Sequence, residues 1–392
     1  MEDDNVAVLE AKNSKISEQQ DQIKNLKDAV LKNLIETGFT IGADGRLIVP
    51  DDKEYYRKVN ASAVEFLRNK RSKFIQKVER PIIEKYIIDG RDLDVNKIDP
   101  FLIEVTDNEK NNLFNWIKLH WSIPISSGYG RRLRYIVGDK SNGAVIGIIG
   151  LGDPVYAMHD RDTHIGWSTQ TKKERLRHLM DAFVLGAVPP YSMVLGGKLV
   201  AALASSPVIR ERFRQKYRGS VSRISGRAFD GRMAGITTSS ALGKSSLYDR
   251  IKIPDGPQFL HVGWTRGSGE FQFLNELYNE LYEIAKSEVA WKKNPSWGSG
   301  IRNRRTLIQS ALKVLGLPIN LGYHNIKREI FLLPLGNKSL EFLRGQYCDI
   351  KYYNLSQESI AEYMLKRWVI PRSLRDNRYE KFTKWEYSIS KS

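Results

Sequence analysis

The sequence predicts an α/β (α+β) protein with a helical amino-terminal region, a mixed-sheet core and a carboxy-terminal extension of helix and strand. Three observations lead there. Up to about residue 112 the apolar residues recur mostly at helical spacing, and from about 131 short β-branched runs alternate with turns and helices. The composition, 41% hydrophobic and 10% aromatic over 392 residues, supplies a sizeable core. We therefore read residues 1–112 as a helical accessory region, 113–275 as a mixed α/β core and 276–392 as an α/β extension with a basic tail.

Ile16, Ile23, Leu26, Val30, Leu31 and Leu34 predict an amphipathic helix, which Gly38 and then Gly42-Ala43-Asp44-Gly45 end in a turn. Helices follow over 52–78 and 79–89, with Pro81 placed for a helix start. Asp99-Pro100 marks a joint before a helix from Leu113 to Trp121. Leu133–Val137 and Ala144–Leu151 read as strands joined at Ser141-Asn142-Gly143, a hairpin signal. Residues 175–188 fit either a helix start or a buried strand, closed by Pro189 and Pro190. The glycine loop Leu195-Gly196-Gly197-Lys198 opens helices at Leu199–Ala204 and Pro207–Tyr217. A strand at Met233–Thr238, a short helix at Lys244–Ile251 and a strand at Phe259–Trp264 complete the core. Beyond it we expect a helix at Leu274–Ala285, a loop over 291–300 and a helix at Thr306–Leu315. A strand at Glu329–Leu333, a helix at Ser356–Trp368 and a fraying tail from Lys366 end the chain.

One cysteine, Cys348, excludes a disulfide scaffold and a cysteine zinc site, and fits a reducing compartment. The longest clean apolar run, Ala144–Leu151, is far short of the roughly 20 residues a membrane helix needs. The opening Met1-Glu2-Asp3-Asp4-Asn5 has no signal-peptide character. A cytoplasmic protein without membrane partners is expected.

Sixty-two Lys and Arg against 45 Asp and Glu give a formal charge of +17, an excess suited to a polyanion. It is clustered. Residues 208–252 carry a net +8, and 301–328 hold six basic residues and no acid. DNA is the expected partner, contacted by Arg210, Arg214, Arg218, Arg223 and Arg227, and by Arg302, Arg304, Arg305, Lys327 and Arg328. Trp264, Phe271, Phe273, Trp291 and Trp297 lie among these clusters as candidate stacking residues. Solvated helix faces and core aromatics are the plainer alternative. Helical phase also forbids 210, 212, 214 and 216 from sharing one face.

Gly196, Gly197 and Lys198 before a helix are the candidate anion site, because glycines admit an anion to unpaired N–H groups and lysine adds charge. A tight turn into a packed helix explains the same residues. Asp153, His159, Asp160 and Asp162, with Glu174 and Asp181 nearby, could bind a metal or act as acid and base. Ordinary turn chemistry and local ion pairing compete with that reading. No two of the six histidines have a paired metal-ligand spacing, and no serine sits in a Gly-x-Ser-x-Gly elbow. The residues assign neither a metal site nor a cofactor.

Several segments together resemble the DruA family of Druantia antiphage systems. They are Trp121–Arg132, Ile149–Tyr156, Leu185–Tyr191 with Leu195–Leu199, Thr237–Tyr248 and Lys327-Arg328-Glu329. The resemblance runs from about 30 to 370. It implies a role in phage defence beside other Druantia components, including a large helicase-like protein. The order of hairpin, strand, glycine loop, helix and strand is also similar to GNAT-type acetyltransferases. That likeness implies that Tyr248 is a general acid, although Met193 and Lys198 depart from the family's cofactor loop. Three readings follow: a DNA-engaging defence component, a GNAT-like transferase acting on a nucleobase or other acceptor, and a metal-dependent DNA nuclease.

Overall fold

The computed structural model describes the backbone of residues 2–125, 130–221, 226–288, 304–346 and 349–390. In chain order its principal helices are α1 (Glu2–Glu36), α2 (Lys53–Asn69), α3 (Ser72–Tyr86), α4 (Asn108–Lys118), α5 (His159–Ile165), α6 (Thr169–Arg175), α7 (Gly196–Leu203), α8 (Pro207–Tyr217), α9 (Leu277–Glu288), α10 (Arg304–Val314), α11 (Ser339–Leu343) and α12 (Gln357–Met364). The strands are β1 (Thr40–Ile41), β2 (Leu47–Ile48), β3 (Pro100–Glu104), β4 (Arg132–Asp139), β5 (Val145–Gly152), β6 (Leu179–Ala187), β7 (Gly235–Ser239), β8 (Leu260–Trp264) and β9 (Glu329–Pro334). No described helix is long and apolar enough to cross a membrane.

Two compact units form. One gathers residues 1–67, 122–124 and 266–327, and the other 68–121, 125–265 and 328–392. In the first, Leu26, Val30 and Leu34 of α1 repeat every four residues and are buried, as the periodicity predicts. The side chain of Ile16 lies outside the described residues. Asn33 on the same helix donates to the carbonyl of Gln272 and accepts from Asn275. The predicted turn is present between β1 and β2, where Gly45 has φ +71° and a Cβ would stand 2.5 Å from Pro318. Phe39 packs against Phe271 with ring centroids 6.2 Å apart.

The second unit is built on a seven-stranded mixed sheet ordered β3-β4-β5-β6-β7-β9-β8. Every neighbouring pair is antiparallel except β6 and β7. Their parallel pairing runs from Leu179–Gly235 to Ala182–Thr238 and stops there, while β6 continues beside β5. Phe183 is the extra residue where the β5–β6 register shifts. Apolar clusters cover both faces, the larger containing Tyr135, Met180, Leu199, Phe213, Ile236 and Phe331. β5 is buried at all eight positions, which explains its uninterrupted apolar sequence.

Several sequence expectations are corrected. Pro81 lies inside α3, and the chain breaks before Ser72 instead. Pro100 starts a strand, β3, within a stretch read as helical. The ambiguous segment resolves into α6, a tight turn and β6. Residues 246–250 form turns rather than a helix, because Lys198 Nζ takes the Ser246 and Leu247 carbonyls at 2.8 and 2.7 Å. As far as Ser390, the last described residue, the tail does not fray. Ser388 Oγ and the Ile389 and Ser390 amides donate to Glu79, which also accepts from Trp116 Nε1. Burial opposes ionisation of Glu79, but these donors outweigh it and hold its carboxyl below the ordinary range. The expected loop 291–300, with Trp291 and Trp297, and Cys348 lie outside the described residues.

Candidate nucleic-acid interface

Helix α8 begins with Ser206, whose side chain accepts from the Val208 amide, and Pro207 stands in its first turn. Ile209 and Phe213 are fully buried and fix the helix against the sheet. Its basic residues then divide by phase. Arg212 pairs with Glu104 at 2.7 Å, and Lys216 donates to the Arg132 carbonyl at 3.0 Å. Arg210 and Arg214, with Arg218 just past the last helical residue, are spaced four apart and form a separate ridge. Arg210 is half-buried with its guanidinium 4.2 Å from the Tyr352 ring centre. Arg214 and Arg218 are exposed, flank Gly231, and have no carboxylate partner among the described residues.

The neighbouring segment continues the positive surface. Arg177 stacks over Phe229 at 4.3 Å and donates to the Arg227 carbonyl. Arg227 is exposed and pairs with Glu174 at 3.3 Å, a contact weak enough for an anion to displace. Arg223 and Arg302 lie outside the described residues. In the other unit Arg304 is exposed beside the Tyr278 ring, whereas Arg305 donates to the Ser268 carbonyl and approaches Glu270 at 3.7 Å. Lys327 is exposed. Arg328, which belongs to the sheet-containing unit, is half-buried, and burial lowers the pKa of its guanidinium. Phe271 and Phe273 are buried core residues rather than open stacking platforms.

The aspartates expected to gather around a metal do not converge. Asp153 is held by Arg131, through Nε at 2.6 Å and its backbone amide at 3.0 Å. Asp160 accepts from the Trp264 amide at 2.8 Å. Asp162 pairs with Arg161 and Lys172, both at 2.7 Å. Among the described residues no three His, Cys, Asp or Glu side chains could hold a metal ion together.

Gly196 and Gly197 are sites of close packing. A Cβ at Gly196 would lie 2.6 Å from the Tyr191 carbonyl oxygen, and one at Gly197 would lie 2.9 Å from Leu247. Lys198 is only 5% exposed and points its ammonium at the Ser246 and Leu247 carbonyls. Burial first, and Arg250 second, push its pKa down to about 8. The loop read as an anion cradle thus anchors the turn that carries Tyr248.

Tyr248 is buried between Phe259 and Phe331, with both ring centroids 5.0 Å away. Burial raises its pKa to about 12 and keeps it protonated at neutral pH. Thr237 Oγ1 donates to Asp181 Oδ1 at 2.6 Å, and Thr238 Oγ1 to the Ala182 carbonyl at 3.1 Å. Burial pushes the Asp181 carboxyl upward against that Thr237 bond. The protonated Tyr248 phenol is the proton donor this cluster can supply. Asp181 and Thr237 are 56 residues apart in the chain, and the β6–β7 register pairs them.

The comparisons with known proteins agree on a family. The one described as Druantia protein DruA matches residues 50–345. A Druantia protein DruA from Escherichia coli (strain UMEA 4076-1) is 38% identical over 361 residues, covering 90% of this chain and 88% of its own length. No solved structure matches. With most of its length aligned to that relative and more than half to the family as a whole, the chain belongs to the DruA family of Druantia proteins.

Proposed function

We propose that the chain works as a component of a Druantia antiphage defence system, engaging DNA beside other proteins of that system, a large helicase-like one among them. The observation that carries the DNA reading is the exposed pair Arg214 on α8 and Arg218 at its end, with no carboxylate partner among the described residues and extended by Arg177 and Arg227. Phosphates neutralised by such side chains release counterions, which gives affinity without requiring a base sequence. The test is phage plaquing on cells that carry the complete system. Arg214→Glu with Arg218→Glu should abolish protection at unchanged protein level, and full protection by that variant would overturn the reading.

A second reading, a GNAT-like transferase, is favoured by the Asp181, Thr237, Thr238 and Tyr248 cluster at the diverging strand ends. There Tyr248 would donate the proton and Lys198 would hold its turn in place. Tyr248→Phe keeps the ring packing and removes the proton. Loss of protection with an unchanged melting temperature would support catalysis, and intact protection would count against it.

A further inference from the structure

The unit formed by residues 1–67, 122–124 and 266–327 contains a pocket of about 300 Å³ lined by Arg46, Arg266, Asn320, Tyr323, Asn325 and Lys327. That volume is at the lower end of small-molecule sites, enough for a phosphate group and part of what carries it. Three cations and no carboxylate line it. Arg266 and Lys327 are exposed and have no ion-pair partner among the described residues. Arg46 approaches Asp44 at 3.4 Å, but both side chains are about two-thirds exposed, so water screens the pair and leaves Arg46 available.

The polar lining is oriented as well as charged. Tyr323 Oη already accepts from Gln309 Nε2 at 3.1 Å, which leaves its hydroxyl proton to donate elsewhere. Asn325 sits at φ +57°, with Nδ2 on the Leu47 carbonyl at 2.8 Å and its amide on the Gly267 carbonyl at 3.0 Å. A Cβ at Gly267 would stand 2.6 Å from the Asn325 backbone, and one at Gly45 equally close to Pro318. Three segments distant in sequence are therefore clamped together, each bringing one cation to the pocket.

We propose that this pocket binds a terminal phosphate, a group with two negative charges and several acceptor oxygens, through Arg46, Arg266, Lys327 and the Tyr323 hydroxyl. Guanidinium forks suit such a group, and a backbone phosphodiester with one charge would satisfy fewer of these donors. The inference is independent of the DNA ridge on α8.

The test is calorimetric titration of the full chain with four probes: inorganic phosphate, a mononucleotide, and one short single-stranded oligonucleotide with either a 5′-phosphate or a 5′-hydroxyl. Tighter binding of the phosphorylated oligonucleotide, by about tenfold, would identify a strand end as the source. Binding of the mononucleotide with no preference between the oligonucleotides would identify a free nucleotide. Either result supports the site, provided Lys327→Ala and Arg266→Ala each weaken it about tenfold and leave the melting temperature unchanged. No response to phosphate or mononucleotide, with equal affinity for both oligonucleotides, would overturn it. So would full binding by both variants. Loss of duplex binding in Arg214→Ala with Arg218→Ala, at unchanged phosphate binding, separates this site from the ridge.

Discussion

Arg161 and Arg218 carry the same charge and meet opposite fates. Arg161 is wholly buried, its guanidinium shared among Asp162 and the Val155 and Tyr156 carbonyls and lying 5.5 Å from the Trp167 ring centre. Arg131 is similar, held by Asp153 and the Arg177 and Leu179 carbonyls amid the rings of Phe213, Tyr217 and Phe229. Arg214 and Arg218 face solvent with no carboxylate partner among the described residues. One group of arginines cements loops onto the sheet, and the other projects into solvent. A charge tally over a sequence window merges the two; the partners around each guanidinium separate them.

The largest expected effect breaks the first group. Arg161→Ala leaves the partly buried Asp162 with Lys172 as its remaining ion-pair partner among the described residues, and should cost about 3–5 kcal/mol in chemical denaturation. Arg218→Ala in the same assay should stay within about 0.5 kcal/mol. Similar losses for both would erase the distinction.

Lys198→Met comes next. It retains the stem but strips the donor from the Ser246 and Leu247 carbonyls, for an expected loss of about 1–3 kcal/mol. The altered packing of Tyr248 should appear in near-ultraviolet circular dichroism. An unchanged spectrum would mean that Lys198 does not hold that turn.

Acid should weaken the cemented region too. His178 is 4% exposed, and burial lowers its pKa to about 4, against the Arg232 carbonyl and Asp230, which favour its protonated form. The unfolded chain binds that proton more readily, so the stability from His178 is complete above pH 6.5. It declines as the pH falls from there towards 4, by up to about 1.4 kcal/mol per pH unit. His178→Gln should flatten that part of the pH profile, and an unaltered slope would contradict the assignment.

The smallest effect sharpens the division within α8. Arg214→Ala should reduce the salt slope of DNA binding by about 0.9, while Arg212→Ala, whose charge Glu104 already offsets, should change it less. Equal changes for both would show that pairing does not matter there.

Much of the fold was legible because its signals are local. The hairpin around Gly143, the α8 start at Pro207 and the apolar run of β5 each depend on a few neighbouring residues. What escaped depends on distant partners. Strand β3 reads as a joint until β4 pairs with it, and the tail reads as loose until Glu79, more than 300 residues away, collects it. The aspartates of the 153–162 segment looked catalytic because sequence lists carboxylates without their arginines. Arg46 and Arg266 gave no signal at all, as each is isolated from the basic clusters and joins Lys327 only in the folded unit.

The central claim is that the α8 ridge engages the DNA backbone. Fluorescence anisotropy with a labelled duplex, titrated between 50 and 200 mM salt, tests it most directly. The expected result is a steep fall in affinity for the native chain and a slope shallower by about 1.8 for Arg214→Ala with Arg218→Ala. Affinity that ignores salt, or an identical slope for the double variant, would contradict it.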